Sequence, residues 1–445
     1  MREKKNRISG KVMCLIGVIA LATVAGTKAM TVWGAKPIDN SYAVYMTNAN
    51  KYLNDEFYVE AIEEFKKADE VEPSLDVKLS IAECYIMLGD MTGFKNQAEA
   101  IEQKYGNSER LCLCYVYYYN EMNDLDNLMK TLKDGVKEFP YSEQLNEYYD
   151  IMKGDYTQIG NNCAAIETLQ TGYDIVLKND KYSVLYSDTN QFGNLDFDAV
   201  FDVYDDGELM VSGYRDGKIR YYDKNGYIRK TPKGNYSYLG LYRDGYALMA
   251  CEEGFGYIDE NEEIVGEMYE EATVFSNGIA GVKKDGKWML VDREFNAVSE
   301  EKYDELKLDG CRNCVFAGRV FAKKGDCYVM LDTKGEEIAS GYTEVKPFLE
   351  EGGYAAVYDG KKWMALDVDG NAYEVLECDE MNASGKGLIA YRVGEVWGYT
   401  SVDDGVYVEP QFVAASRVNE KGIAAVWSNN EWIYIQLSIF RNSEM

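Results

Sequence analysis

Ala272-Thr-Val-Phe-Ser-Asn-Gly-Ile-Ala-Gly-Val-Lys-Lys-Asp-Gly-Lys-Trp288-Met-Leu-Val-Asp292 is two alternating apolar runs joined at Asp285-Gly286. Alternation with an Asp-Gly junction predicts a β-hairpin. The second run recurs along the C-terminal half. It appears as Ile219-Arg-Tyr-Tyr-Asp223, Phe255-Gly-Tyr-Ile-Asp259, Tyr328-Val-Met-Leu-Asp332, Trp363-Met-Ala-Leu-Asp367, Trp397-Gly-Tyr-Thr-Ser401 and Trp432-Ile-Tyr-Ile-Gln436. The leading residues Ile219, Phe255, Trp288, Tyr328, Trp363, Trp397 and Trp432 stand 36, 33, 40, 35, 34 and 35 residues apart. A weaker copy begins at Val184. A unit of a few strands cannot bury its apolar face alone, so such units stack on one another. A β-propeller over residues 175–437 is the expectation, with a linear β-solenoid as the alternative.

These units resemble the WG-repeat family, named for its Trp-Gly pair. Residues 272–288 carry the likeness, as do Val408-Glu-Pro-Gln-Phe412 and Gly422-Ile-Ala-Ala-Val426. The Trp-Gly pair itself survives at Trp397-Gly398, with Phe255-Gly256 next. The resemblance implies a repeat protein with no assigned enzymatic activity.

Upstream, over residues 40–156, the apolar period becomes helical. Tyr45, Ala49 and Tyr52 share one helix face, Ala61, Phe65 and Ala68 another, and Pro73 closes the second helix. A further copy ends at Pro140, with Cys112, Val116 and Tyr119, then Leu128, Leu132 and Gly135. Leu79, Ala82 and Ile86 give a degenerate middle unit, and residues 142–156 a capping helix. These residues resemble the tetratricopeptide repeat, which implies an α-solenoid with a peptide- or protein-binding groove. Tyr117, Tyr118 and Tyr119 either line that groove or pack, and packing is the expectation.

Arg2, Lys4, Lys5, Arg7 and Lys11 precede the apolar run Val12 to Gly26, which predicts an export signal or an anchor. Continued through Lys28 to Trp33 it is long enough to span a bilayer, so residues 1–34 are taken as a single-pass membrane segment. The N-terminus is then cytoplasmic and the bulk extracytoplasmic; secretion after cleavage is the alternative. The whole is a multidomain α+β chain.

Composition narrows the chemistry. The 445 residues hold no histidine, which removes His-based triads, His general bases and His-ligated zinc. A net charge of −29 argues against nucleic acid. Cys311-Arg-Asn-Cys314, with Cys327 nearby, has metal or redox spacing but no second pair, so core packing is expected. Asp223, Asp259, Asp292, Asp332 and Asp367 close successive strands, where turn formation explains them better than calcium. No catalytic residue, metal or cofactor is implied. The expected partner is a protein or peptide, or a neutral glycan, bound by a non-enzymatic, membrane-tethered scaffold. The competing reading is a carbohydrate-active hydrolase with paired Asp/Glu at the propeller mouth.

Overall fold

The computed structural model describes residues 41–168, 173–349, 352–428 and 430–440. The expected membrane segment at 1–34 lies outside these. Among the described residues no helix is long and apolar enough to cross a membrane. The chain divides into two compact units, one ending at Met152 and the other running from Lys153 to Ser443.

The first unit holds seven helices: α1 (Ser41–Asn54), α2 (Tyr58–Val71), α3 (Leu75–Leu88), α4 (Met91–Tyr105), α5 (Glu109–Glu121), α6 (Leu125–Glu138) and α7 (Glu143–Lys153). The odd-numbered helices begin 34 residues apart, at residues 41, 75, 109 and 143. Their caps keep the same beat. The hydroxyls of Ser74, Ser108 and Ser142 accept from the N–H of Val77, Leu111 and Leu145. Asp90 and Asp124 likewise cap α4 and α6 through Gly93 and Asn127. Each cap satisfies an amide that the first turn leaves without a helical partner.

Ala49, Ala61, Phe65 and Ala68 are buried together, with Tyr45 and Tyr52 packed against them. Leu79, Ala82, Ile86, Cys112, Val116, Leu128 and Leu132 are also buried. Gly135 permits close helix contact: a β-carbon there would stand 2.6 Å from Cys112 Sγ. Pro73 and Pro140 each follow a helix end, as expected.

The second unit is an eight-bladed β-propeller, so the linear alternative falls. Blades 1 to 8 span residues 165–185, 199–230, 238–269, 271–292, 305–342, 344–373, 380–412 and 414–437, each an antiparallel meander. The propeller opens earlier than residue 175. Tyr156–Cys163 pairs with Glu431–Leu437 and supplies the outer strand of blade 8. Only Gly154 and Asp155 separate it from α7, so the capping helix stops short of residue 156.

All seven anchor residues fall at the beginning of the third strand of a blade. These strands are Lys218–Asp223, Gly254–Ile258, Lys287–Asp292, Cys327–Leu331, Trp363–Leu366, Val396–Ser401 and Glu431–Leu437. Several anchors face an aromatic on the fourth strand: Phe255 opposite Tyr269, Trp288 opposite Tyr303, Tyr328 opposite Tyr342 and Trp397 opposite Phe412. In blade 1 the equivalent pair is Tyr182 and Phe197, so the anchor there is Tyr182 and the Val184 register is corrected by two residues.

Two residues past the anchor stands a feature with its own role. Tyr221 donates its hydroxyl to Gly240 O at 2.7 Å, Tyr257 to Thr273 O at 2.8 Å and Tyr399 to Ser416 O at 3.0 Å. Tyr434 bonds Asp174 at 3.0 Å. Every one of these bonds crosses from a blade to the next, the last closing blade 8 onto blade 1. Buried main-chain carbonyls at the seams are thereby satisfied without water.

Removing the Tyr257 hydroxyl strands a buried acceptor, so Tyr257→Phe is expected to cost about 1–3 kcal/mol. Truncating the buried Trp288 to alanine is expected to cost about 3–5 kcal/mol. Urea unfolding followed by far-UV circular dichroism measures both; a neutral Tyr257→Phe would deny the seam bond its role.

Candidate functional site

The turn aspartates come first because they resemble ligands. In Asp223, Asp259, Asp292, Asp332 and Asp367 alike, Oδ1 accepts from the backbone N–H groups two and four residues on, at 2.8–3.0 Å. The bond from Glu263 N–H, with those from Asn261, holds the Asp259 carboxyl below the ordinary carboxylate range. Each carboxylate is thus engaged by its own turn. Among the described residues no cluster of three or more Cys, Asp or Glu could hold a metal ion.

The same turn recurs where the repeat length is anomalous. Between Trp288 and Tyr328 the spacing is 40, and the extra residues lie in the loop at 307–319, between the first two strands of blade 5. Asp309 Oδ1 accepts from Cys311 and Asn313 N–H at 3.0 and 2.8 Å, which folds the loop tip. Cys311 is buried in the core of blades 1 and 2, beside Ile175, Phe197 and Val203. Its carbonyl accepts from Tyr238 of blade 3 at 3.3 Å. Arg312 donates to Ala272 O of blade 4 at 2.9 Å and lies 4.3 Å from the Phe255 ring. A blade 5 loop that touches blades 1, 2, 3 and 4 runs across the middle of the ring.

Here also lies the densest buried charge. Asp202 pairs with Arg243 and accepts from Leu241 N–H at 2.8 Å. Arg243 covers Tyr204 at 4.3 Å, and its Nε has no hydrogen-bond partner among the described residues. Burial pushes the Asp309 carboxyl up to about 6, with Asp202 adding to the rise and the turn N–H groups and Arg243 opposing it. Asp202 and Asp309 are both enclosed and already hydrogen-bonded.

Cys311 and Cys314 part company. Cys314 joins the core of blades 4 and 5, 3.4 Å from Thr273 Oγ1. Burial raises both thiols, Cys314 to about 11, so neither is a thiolate at neutral pH. The described cysteines, Cys327 among them, form no disulfide.

Among the described residues, an open concave surface lies in the helical unit. A groove of about 400 Å³ is floored by Tyr115, Tyr118 and Tyr119 of α5 and walled by Glu99 and Glu102 of α4 and by Asp124. A second hollow of about 250 Å³ shares Glu102, Tyr115 and Tyr119 and adds Asp134. The floor is a set of touching rings. Tyr115 and Tyr119 stack at 5.8 Å, and Tyr118 meets Tyr119 edge-on at 5.1 Å. The buried Phe94 supports Tyr115 and Tyr118 from beneath, at 5.5 and 5.1 Å. Burial, then the Glu102 carboxylate, pushes the Tyr115 hydroxyl well above its ordinary range. Of the tyrosine run, Tyr117 and Tyr118 pack against the helical core, and Tyr118 and Tyr119 line the groove.

The sequence from 255 to 288 and again from 330 to 363 matches the WG containing repeat family. No curated protein matches the chain. Among solved structures, Hsv2 of Kluyvelomyces marxianus is similar at 8% identity and a TM-score of 0.35, over 62% of this chain and 97% of that one. Dihydro-heme d1 dehydrogenase NirN, in complex with DHE, is similar at 10% identity and a TM-score of 0.38, over 64% and 75%. The AfRom2 CNH domain gives 10% identity and 0.31, over 64% and 99%. Scores this low carry no functional argument.

The raised Asp309 pKa has a defined sign. Its folded value exceeds the unfolded one, so the charge is a cost fully present above about pH 6 and relieved as pH falls toward 4. Asn419 makes the same two-and-four turn with an amide at 3.0 Å, so asparagine suits the position. Asp309→Asn is expected to raise stability at pH 7 by up to about 3 kcal/mol, and the gain to shrink toward zero at pH 4. Urea midpoints at the two pH values decide it; an equal difference at both would contradict the assignment.

Proposed function

We propose that this chain is a membrane-tethered, non-enzymatic scaffold whose bulk lies outside the cytoplasm. Its helical array, read as tetratricopeptide-type, and its WG-type propeller would both serve recognition. The observation that carries this reading is the contrast between the two units. Side chains at the propeller hub are committed to one another, while the helical unit presents an aromatic groove open to solvent. The 34-residue recurrence of helix starts and serine caps supports the tetratricopeptide reading. The basic flank and apolar run at 2–26 support the tether.

Two measurements test the proposal. External protease applied to intact spheroplasts should remove both repeat units, while the Met1 to Lys11 segment stays protected and membrane-bound; a soluble form with a processed N-terminus would refute the tether. Cross-linking in native membranes should recover one set of partners with the full chain, diminished when either repeat unit is deleted. Turnover of a polysaccharide that disappears on replacing a single carboxylate would refute the non-enzymatic reading.

A further inference from the structure

The composition of the groove names the kind of partner it fits, an inference that rests on the scaffold reading above. We propose that the groove over Tyr115, Tyr118 and Tyr119 binds lysine and arginine side chains of an extended basic segment of a partner protein.

Three observations converge. The floor is lined by three touching, half-buried tyrosine rings, and aromatic rings attract cations through their quadrupoles. The walls carry Glu99, Glu102, Asp124 and Asp134 against a single cation, Lys95. Asp124 is occupied with its helix cap and Glu102 accepts a hydrogen bond from the Tyr115 hydroxyl, but the described ion pairs of this unit (Lys67–Glu64, Lys78–Asp69, Arg110–Asp76 and Arg110–Glu83) include none of Glu99, Glu102 and Asp134.

The chain's own lysines show what the missing contact looks like. Lys230 sits 4.7 Å from the Tyr242 ring, Lys307 4.6 Å from Tyr328 and Lys153 5.3 Å from Tyr407. Among the described residues no lysine or arginine lies over Tyr115, Tyr118 or Tyr119. An acidic segment would be repelled by these walls. A neutral glycan would stack on the rings but leave the carboxylates uncompensated. Two adjoining hollows sharing Tyr119 give room for successive side chains of one strand, and the −29 charge of the chain draws cationic segments toward it.

The probe is a fluorescein-labelled decapeptide of alternating Lys and Ala, with its Lys-acetylated and Glu/Ala counterparts, titrated by anisotropy against the full chain in detergent. The Lys peptide should bind and the other two should not. Tyr119→Ala should weaken binding roughly three- to thirtyfold and Tyr119→Phe much less, since the ring face remains. Glu102→Gln should weaken it several-fold, while Glu301→Gln and Glu208→Gln, at exposed propeller positions, should change nothing. Equal losses from the remote substitutions would reduce the binding to bulk charge and overturn the proposal. So would retention by Tyr119→Ala with its helical dichroism intact, or a change in sedimentation that traces the groove to contact between copies of the chain. If the Lys peptide fails but native partners are still cross-linked, this inference falls and the scaffold reading stands.

Discussion

At three seams of the propeller a main-chain carbonyl, that of Gly240, Thr273 or Ser416, takes a hydrogen bond from the neighbouring blade. At four seams the chain answers with a tyrosine on the third strand, its ring buried between blades and its hydroxyl bonded to a partner in the next one. The anchor two residues earlier packs the same strand against its outer neighbour. One short strand therefore joins its blade in two directions. The remaining four blades carry Val184, Leu290, Met330 and Ala365 at the tyrosine position, where packing without a hydroxyl suffices.

Much of this was legible because it repeats. The anchors, the strand-ending aspartates and the helical faces each recur, and recurrence survives the divergence of single units. What stayed hidden has physical reasons. Blade 1 reads two residues out of register because its turn aspartate, Asp188, stands six rather than four residues past the anchor Tyr182. The long spacing before Tyr328 was visible as a number, but nothing local says that an insertion turns inward and crosses the ring. The closing strand Tyr156–Cys163 is too polar to read as β by alternation, since its partner lies at the other end of the propeller. The groove was half seen: Tyr118 and Tyr119 were named, while Tyr115, which completes the floor, stood one helical turn earlier among the cysteines.

The propeller hub and the groove of the helical unit treat polar side chains in opposite ways. At the propeller centre Asp202, Arg243 and Asp309 are taken out of water and can be afforded only because each carboxylate is hydrogen-bonded. In the helical unit Glu99, Glu102 and Asp134 beside the tyrosines stay exposed to water. The charges of the hub help hold the propeller together, whereas those beside the groove stay in water.

The strand that completes blade 8 also sets an order of events. Tyr156–Cys163 leaves the ribosome long before Glu431–Leu437 exists to receive it. Until the last strand arrives, the ring is an open arc with a bare edge at its leading end. Such edges are templates for mispairing, and contacts this distant along the chain form slowly. The helical unit, built from neighbours in sequence, is free to fold meanwhile and to occupy the chain just ahead of that waiting strand.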